Sequence, residues 1–300
     1  MNTLNGNTTG NINANTVSTL TGSITDLNTV YTASAATGDG ISNLGNEAIT
    51  LSDTSVTDIS ALTTLNGNTT GNINADTVSS FTGSISDLNT MFATKAASGD
   101  GISFSSSSGA ADQTVSITDT TDVSVTGLTT LNGHTTGNID ASGVTSLASA
   151  SISDIKTLLT AGNNHTNNFT STSFNDLATV VVSDTSVSVA DLNDSITQAN
   201  TATTNPTNTV FSVSSGATIT TGDEAAFTTL LTNEDNGNIV ITDQNLTVSS
   251  GTISVDNANS LNGTTTGTVT ASIDVTETVD ELKTLSGTGA YTIAVSYTHL

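Results

Sequence analysis

The chain has 300 residues, of which 27 are Asp or Glu and 3 are Lys or Arg, giving a formal net charge of −24. That balance argues against nucleic acid and anionic membrane as ligands, because both are bound through Lys and Arg, and only Lys95, Lys156 and Lys283 are on offer. Aromatics at 3%, with no Trp and no Cys, argue against a broad aromatic core, disulfides and thiolate chemistry.

Along the chain, Met1 enters at the edge of a repeated motif with no charged and apolar leader before it. The expectation is a segment that begins inside a longer array. No run of about eighteen apolar residues follows, so nothing reads as a bilayer span. Leu4–Gly10 is LNGNTTG, Leu65–Gly71 repeats it, Leu131–Gly137 is LNGHTTG and Leu261–Gly267 is LNGTTTG. A worn copy opens at Ile196, placed by SDTSV at Ser52–Val56 and again at Ser183–Val187. The five openings are then 61, 66, 65 and 65 residues apart. Such a period marks a stacked array of repeats.

Within the first copy, short β-branched runs bounded by Gly, Asn or Asp read as strands at Asn11–Ala14, Ser23–Thr25 and Ala48–Ser52. Their centres at Ile12, Ile24, Ile49 and Ile73 give steps of 12, 25 and 24 residues. Three strands per repeat at about 20 residues each predict a mainly β fold, a parallel β-solenoid with short helical segments and three coils per 61–66-residue repeat. About fourteen coils at about 4.8 Å each would make a rod on the order of 70 Å. Thr25–Tyr31, Ser86–Phe92 and Ser153–Leu159 read as one or two helical turns capped by Ser or Thr. Ala14, Val17, Leu20 and Gly22, matched by Ala75, Val78, Phe81 and Gly83, read as a tight helical turn or a corner. The array is taken as one domain, residues 1–294, with an interrupted coil at Asn200–Asn208 around Pro206. Val295–Leu300, VSYTHL, breaks the composition and resembles a translated sequencing adapter.

No catalytic, cofactor or metal residue is assigned. His134 replaces Asn7 and Asn68 of equivalent loops, His165 sits in a polar Asn-rich run, and His299 falls in the tail. No Ser, His and Asp set converges, and no Lys follows the glycine motifs as a phosphate loop needs. Calcium is the one ligand weighed. Gly38-Asp39-Gly40-Ile41-Ser42 recurs around Asp100, and Asp53, Asp119 and Asp184 each stand twelve residues before a repeat opening. Stacked carboxylates could hold a hard cation. Asp also forms turns and caps helices, and the calcium nonapeptide is missing, so the turn and cap reading is preferred.

Ser52–Ile59, the LNGNTTG motif and Ser84–Thr90 resemble repeats of very large secreted or surface proteins, adhesin-like, of marine cyanobacteria and related bacteria. That resemblance covers most of Leu4–Ala294 and implies an extracellular, non-enzymatic spacer or adhesive scaffold, monomeric along its length. Glycans, the cell surface or other copies would be its partners. Two alternatives stand beside it. Ser98–Ser103 and Gly109–Ile117 are similar to trimeric phage tail-fibre shafts, and the Asp columns leave a calcium-stabilised module open. Ice binding through Thr-x-Thr ranks is disfavoured, because the strands read from the sequence lack that pattern.

Overall fold

A computed structural model describes residues 1–34, 40–94, 100–104, 112–164, 168–200 and 208–293. The chain divides into two compact units, the first built mainly from Met1–Asp119 with Thr126–Gly143 and His165–Ser173, the second from Thr120–Val125, Val144–Asn164 and Phe174–Leu300.

In chain order the first unit contains α1 (Asn2–Gly6), β1 (Ile12–Asn13), β2 (Thr19–Gly22), α2 (Ile24–Ser34), β3 (Ile41–Ser42), β4 (Ala48–Leu51), β5 (Ser55–Val56), α3 (Ile59–Asn68), β6 (Asn72–Asn74), β7 (Ser80–Gly83), α4 (Ile85–Ala93), β8 (Gly101–Ser103), β9 (Thr114–Ile117), α5 (Val125–His134) and β10 (Ile139–Asp140). The second contains α6 (Ile152–Asn164), β11 (Thr179–Val182), β12 (Ser186–Ser188), α7 (Val189–Asn200), β13 (Val210–Val213), β14 (Thr218–Thr220), α8 (Glu224–Asp235), β15 (Ile239–Val240), β16 (Asn245–Thr247), α9 (Val255–Thr264), β17 (Val269–Ile273), α10 (Val279–Leu282) and β18 (Ala290–Ile293).

All named strand pairs are parallel. In the first unit the sheets are β1-β3, β2-β4-β6-β8 and β10-β9-β7-β5; in the second they are β11-β13-β15 and β12-β14-β16-β17-β18. A parallel pair needs a crossover, and here helices supply it. Register is set by apolar ladders: Ile49, Ile73 and Ile102 align in one sheet, Val56, Phe81, Val115 and Ile139 in another. In the second unit Val187, Ile219, Leu246 and Val269 do the same. All of these side chains are buried, so each coil contributes a few apolar residues to a thin core.

This arrangement corrects the mainly β reading. The fold is mixed α/β, with ten helices and eighteen short strands among the described residues. Two helices, not three strands, mark each period: α3, α5, α7 and α9 begin 66, 64 and 66 residues apart, and α2, α4 and α6 alternate with them. The segment read as a strand around Ile24 opens α2, where Ile24, Leu27, Val30 and Tyr31 are buried on one helical face. Leu65, Leu131 and Leu261 of the LNG motif lie in helices and are buried. The corner expected at Ala14–Gly22 is a turn followed by strand: Val17 N–H donates to Ala14 O at 2.8 Å, and Leu20 lies in β2. Thr, Ser, Asn and Gly are poor helix formers, so these helices form because packing fixes them, which local propensity does not reveal. No helix among the described residues is long and apolar enough to cross a membrane. Between its end residues the expected interruption at Asn200–Asn208 lies outside the described residues, as does the Val295–Leu300 tail.

Candidate functional site

The first four N–H groups of a helix lack intrahelical partners. In α2, α4 and α6 two of them are met by one recurring device. Ser23 Oγ accepts from Asp26 N–H at 3.1 Å, as Ser84 does from Asp87 and Ser151 from Asp154. Each Ser hydroxyl in turn donates to the carboxylate of that Asp, at 2.9, 2.8 and 2.8 Å. The first helical N–H is met from the following coil: Ile24 N–H donates to Asp53 Oδ2 at 2.9 Å, Ile85 to Asp119 at 2.6 Å and Ile152 to Asp184 at 2.6 Å. Three of the carboxylates weighed as calcium ligands, those of Asp53, Asp119 and Asp184, thus each give Oδ2 to a cap that joins one coil to the next, where the positive end of the helix favours it. The partner residue, about thirty positions earlier, carries no sequence signal that links it to the Asp.

Asp39 lies outside the described residues, and Asp100 is exposed beside β8. Among the described residues no group of three or more His, Cys, Asp or Glu is placed to hold a metal ion.

Two further caps escaped the sequence reading. Glu277 accepts from Val255 N–H at 3.0 Å. Glu224 accepts from Ser254 N–H at 2.8 Å, from the Ser254 hydroxyl at 3.0 Å and from the Asn257 amide at 2.7 Å. The Ser254 backbone N–H and the Asn257 amide, despite partial burial, hold the Glu224 carboxyl below its usual range.

The LNGxTTG motif is a second interlock. Thr69 Oγ1 donates to Glu47 O at 2.8 Å and accepts from Gly71 N–H at 3.0 Å. Thr135 repeats this with Gln113 O and Gly137, and Thr265 with Gln244 O and Gly267. A methyl group on Gly71, Gly137 or Gly267 would fall inside the same carbonyl oxygen. Glycine is thus required by close approach of two backbones. At Gly10 a methyl group would meet, among the described residues, Thr8 Oγ1 at 3.5 Å, an ordinary contact.

A third link runs between adjacent helices. Asn28 Nδ2 donates to Ala61 O, Asn89 to Gly127 O and Asn193 to Ala226 O, each at 2.9 Å. In α6 the equivalent residue is Lys156, which reaches Asp191 at 2.6 Å and Asp194 at 2.8 Å on α7. Those two hydrogen bonds raise the Lys156 pKa, and the one from Lys156 lowers that of Asp191.

Glu47 is fully buried. Its Oε2 accepts from Tyr31 Oη and from Gly45 N–H, both at 2.8 Å, while Oε1 has no partner. Burial, and then the bond to Glu47, push the Tyr31 hydroxyl well above its ordinary value.

His134 stacks on Phe92 with ring centroids 6.0 Å apart and planes 19° from parallel. His165 and His299 lie outside the described residues. No family model matches this chain, and no curated protein or solved structure does.

Proposed function

We propose that this chain is a non-enzymatic structural repeat segment of a secreted or cell-surface bacterial protein, acting as a spacer or adhesive scaffold. One observation carries the reading: the side chains that recur from copy to copy are spent on bonds between coils. Asp53, Asp119 and Asp184 cap neighbouring helices, and Thr69, Thr135 and Thr265 tie neighbouring turns. A selected structural array needs such residues at a fixed period, since its stability is a sum over neighbouring repeats. A dense negative charge with few cations keeps such segments apart in solution. Glycans, the cell surface or further copies are the proposed partners.

Two measurements test this. Antibody against the chain should label intact producing cells or their medium; label found only after lysis would reject the surface role. Sedimentation equilibrium should give a monomer, with or without calcium. A trimer would favour the tail-fibre alternative, which needs apolar faces shared among chains; a calcium-dependent mass or stability would favour the cation-stabilised module.

A further inference from the structure

The Thr-x-Thr pattern that the strands read from the sequence lack is present in the strands of the second unit. β14 is Thr218-Ile219-Thr220, β16 is Asn245-Leu246-Thr247, and Thr268-Val269-Thr270 enters β17. Register sets Ser186, Thr218 and Asn245 in one row, and Thr268 extends it by donating its N–H to Asn245 Oδ1 at 2.9 Å. Ser188, Thr220, Thr247 and Thr270 form the next row. The residues between the rows, Val187, Ile219, Leu246 and Val269, are buried, so both rows stand on the outer face of the sheet. The grid they make holds no charged and no aromatic side chain, in a chain whose net charge is −24. Parallel strands are about 4.8 Å apart and alternate residues about 6.7 Å apart along a strand, both within about a tenth of the spacings between oxygen rows on a prism face of ice.

The hydroxyls of this grid are unspent. Thr228, Thr229 and Thr232 of α8 return theirs to the carbonyl four residues back, at 2.9, 3.0 and 3.0 Å, and Thr265 gives its own to Gln244 O at 2.7 Å. Those of Ser186, Thr218, Thr220, Thr247, Thr268 and Thr270 have no hydrogen-bond partner among the described residues. Thr sets a methyl beside its hydroxyl, and the branched Cβ restricts χ1, so both groups are held in place before anything binds. The first unit lacks such a grid. In its sheet β2-β4-β6-β8, Thr19 and Thr21 stand beside Ala48 and Thr50 and then Asn72 and Asn74, and the Asn72 amide is bonded to Ser103 Oγ at 3.0 Å.

We propose that the outer face of β12-β14-β16-β17 is an ice-binding surface. Its methyls and hydroxyls hold a layer of water at the spacing of the crystal, and that layer joins the ice front. An uncharged face suits an uncharged solid. Crystalline polysaccharide is the other ordered hydroxyl surface, but sugar rings pack on aromatic faces, and the grid offers none. This assignment goes beyond the scaffold reading and is independent of where the chain is displayed.

The test is ice-affinity partition of the purified full chain, with recrystallisation of fine-grained ice as a second readout. The parent chain should be enriched in slowly grown ice and should arrest recrystallisation. Thr220→Tyr and Thr247→Tyr each raise a ring above the grid and should lose both effects at an unchanged urea midpoint, because Tyr suits an exposed strand position. Thr50→Tyr, on the first unit's sheet, should behave as the parent. Exclusion of the parent from ice would overturn the proposal, as would equal loss in Thr50→Tyr or no loss in Thr220→Tyr and Thr247→Tyr. Co-sedimentation of the parent with insoluble cellulose or chitin, without enrichment in ice, would give the face to a polysaccharide and overturn it too.

Discussion

Asp53 Oδ2 accepts the backbone N–H of Ile24, 29 residues earlier, at 2.9 Å. One carboxylate thereby ends the exposed start of a helix and fixes the next coil against it, and Asp119 and Asp184 repeat the contact. Replacing any of the three with Ala leaves an orphan N–H. Each variant should lose about 1 kcal/mol in urea unfolding. Because these oxygens already serve as acceptors, added calcium should leave the midpoint of the parent protein unchanged; a calcium-dependent rise would point to ligation instead.

The glycine of the repeated motif gives a sharper contrast. Gly71→Ala, Gly137→Ala and Gly267→Ala each drive a methyl into a carbonyl oxygen of the neighbouring coil. Losses of about 2–4 kcal/mol are expected. Gly10→Ala makes only an ordinary van der Waals contact with Thr8 Oγ1 at 3.5 Å and should change stability by less than about 0.5 kcal/mol. Equal effects at Gly10 and Gly71 would mean that the close approach is not what the glycine serves.

Glu47 should tolerate its amide better than its acid. At the equivalent position Gln244 Nε2 donates to Val213 O at 2.9 Å and to Ser214 O at 3.3 Å, while its Oε1 accepts from Thr242 N–H at 2.8 Å. Glu47 reproduces the acceptor half through Gly45 N–H, but its buried Oε1 has nothing to accept from. Glu47→Gln is expected to stabilise the protein by about 1 kcal/mol, read as a higher urea midpoint.

Acid should destabilise the array. Glu224, held low by Ser254 N–H and Asn257, and Asp191, held low by Lys156, have depressed folded-state pKa values. A depressed carboxyl contributes stability that is present above its unfolded value and lost as pH falls through the folded one. The urea midpoint should therefore be flat near neutrality and drop below about pH 4, the ordinary carboxylate range. Glu224→Gln should flatten part of that drop; an unchanged slope would remove Glu224 from the account.

The sequence made the period plain and hid the geometry within it. The caps read from the sequence at Thr25, Ser86 and Ser153 lie inside α2, α4 and α6; the capping hydroxyls are those of Ser23, Ser84 and Ser151, two residues earlier, because each helix begins at the apolar residue in between. Asp53 could be read as a cap or turn residue, yet its partner Ile24 lies in another coil, and no local rule connects them. The balance of helix and strand was misjudged for a related reason. Thr63 and Thr64 return their hydroxyls to the carbonyls of Ile59 and Ser60, at 2.6 and 2.8 Å, so a Thr-rich segment can stay helical once packed. Glu224 was missed because its three donors come from Ser254 and Asn257, about one coil away.

The central claim is that the recurring residues lock consecutive coils together, and amide hydrogen exchange at Ile24, Ile85 and Ile152 tests it most directly. The account predicts slow exchange at all three in the parent protein, with Asp53→Ala releasing Ile24, Asp119→Ala releasing Ile85 and Asp184→Ala releasing Ile152, each one alone. Exchange that is fast in the parent protein, or unmoved by the matching substitution, would contradict it.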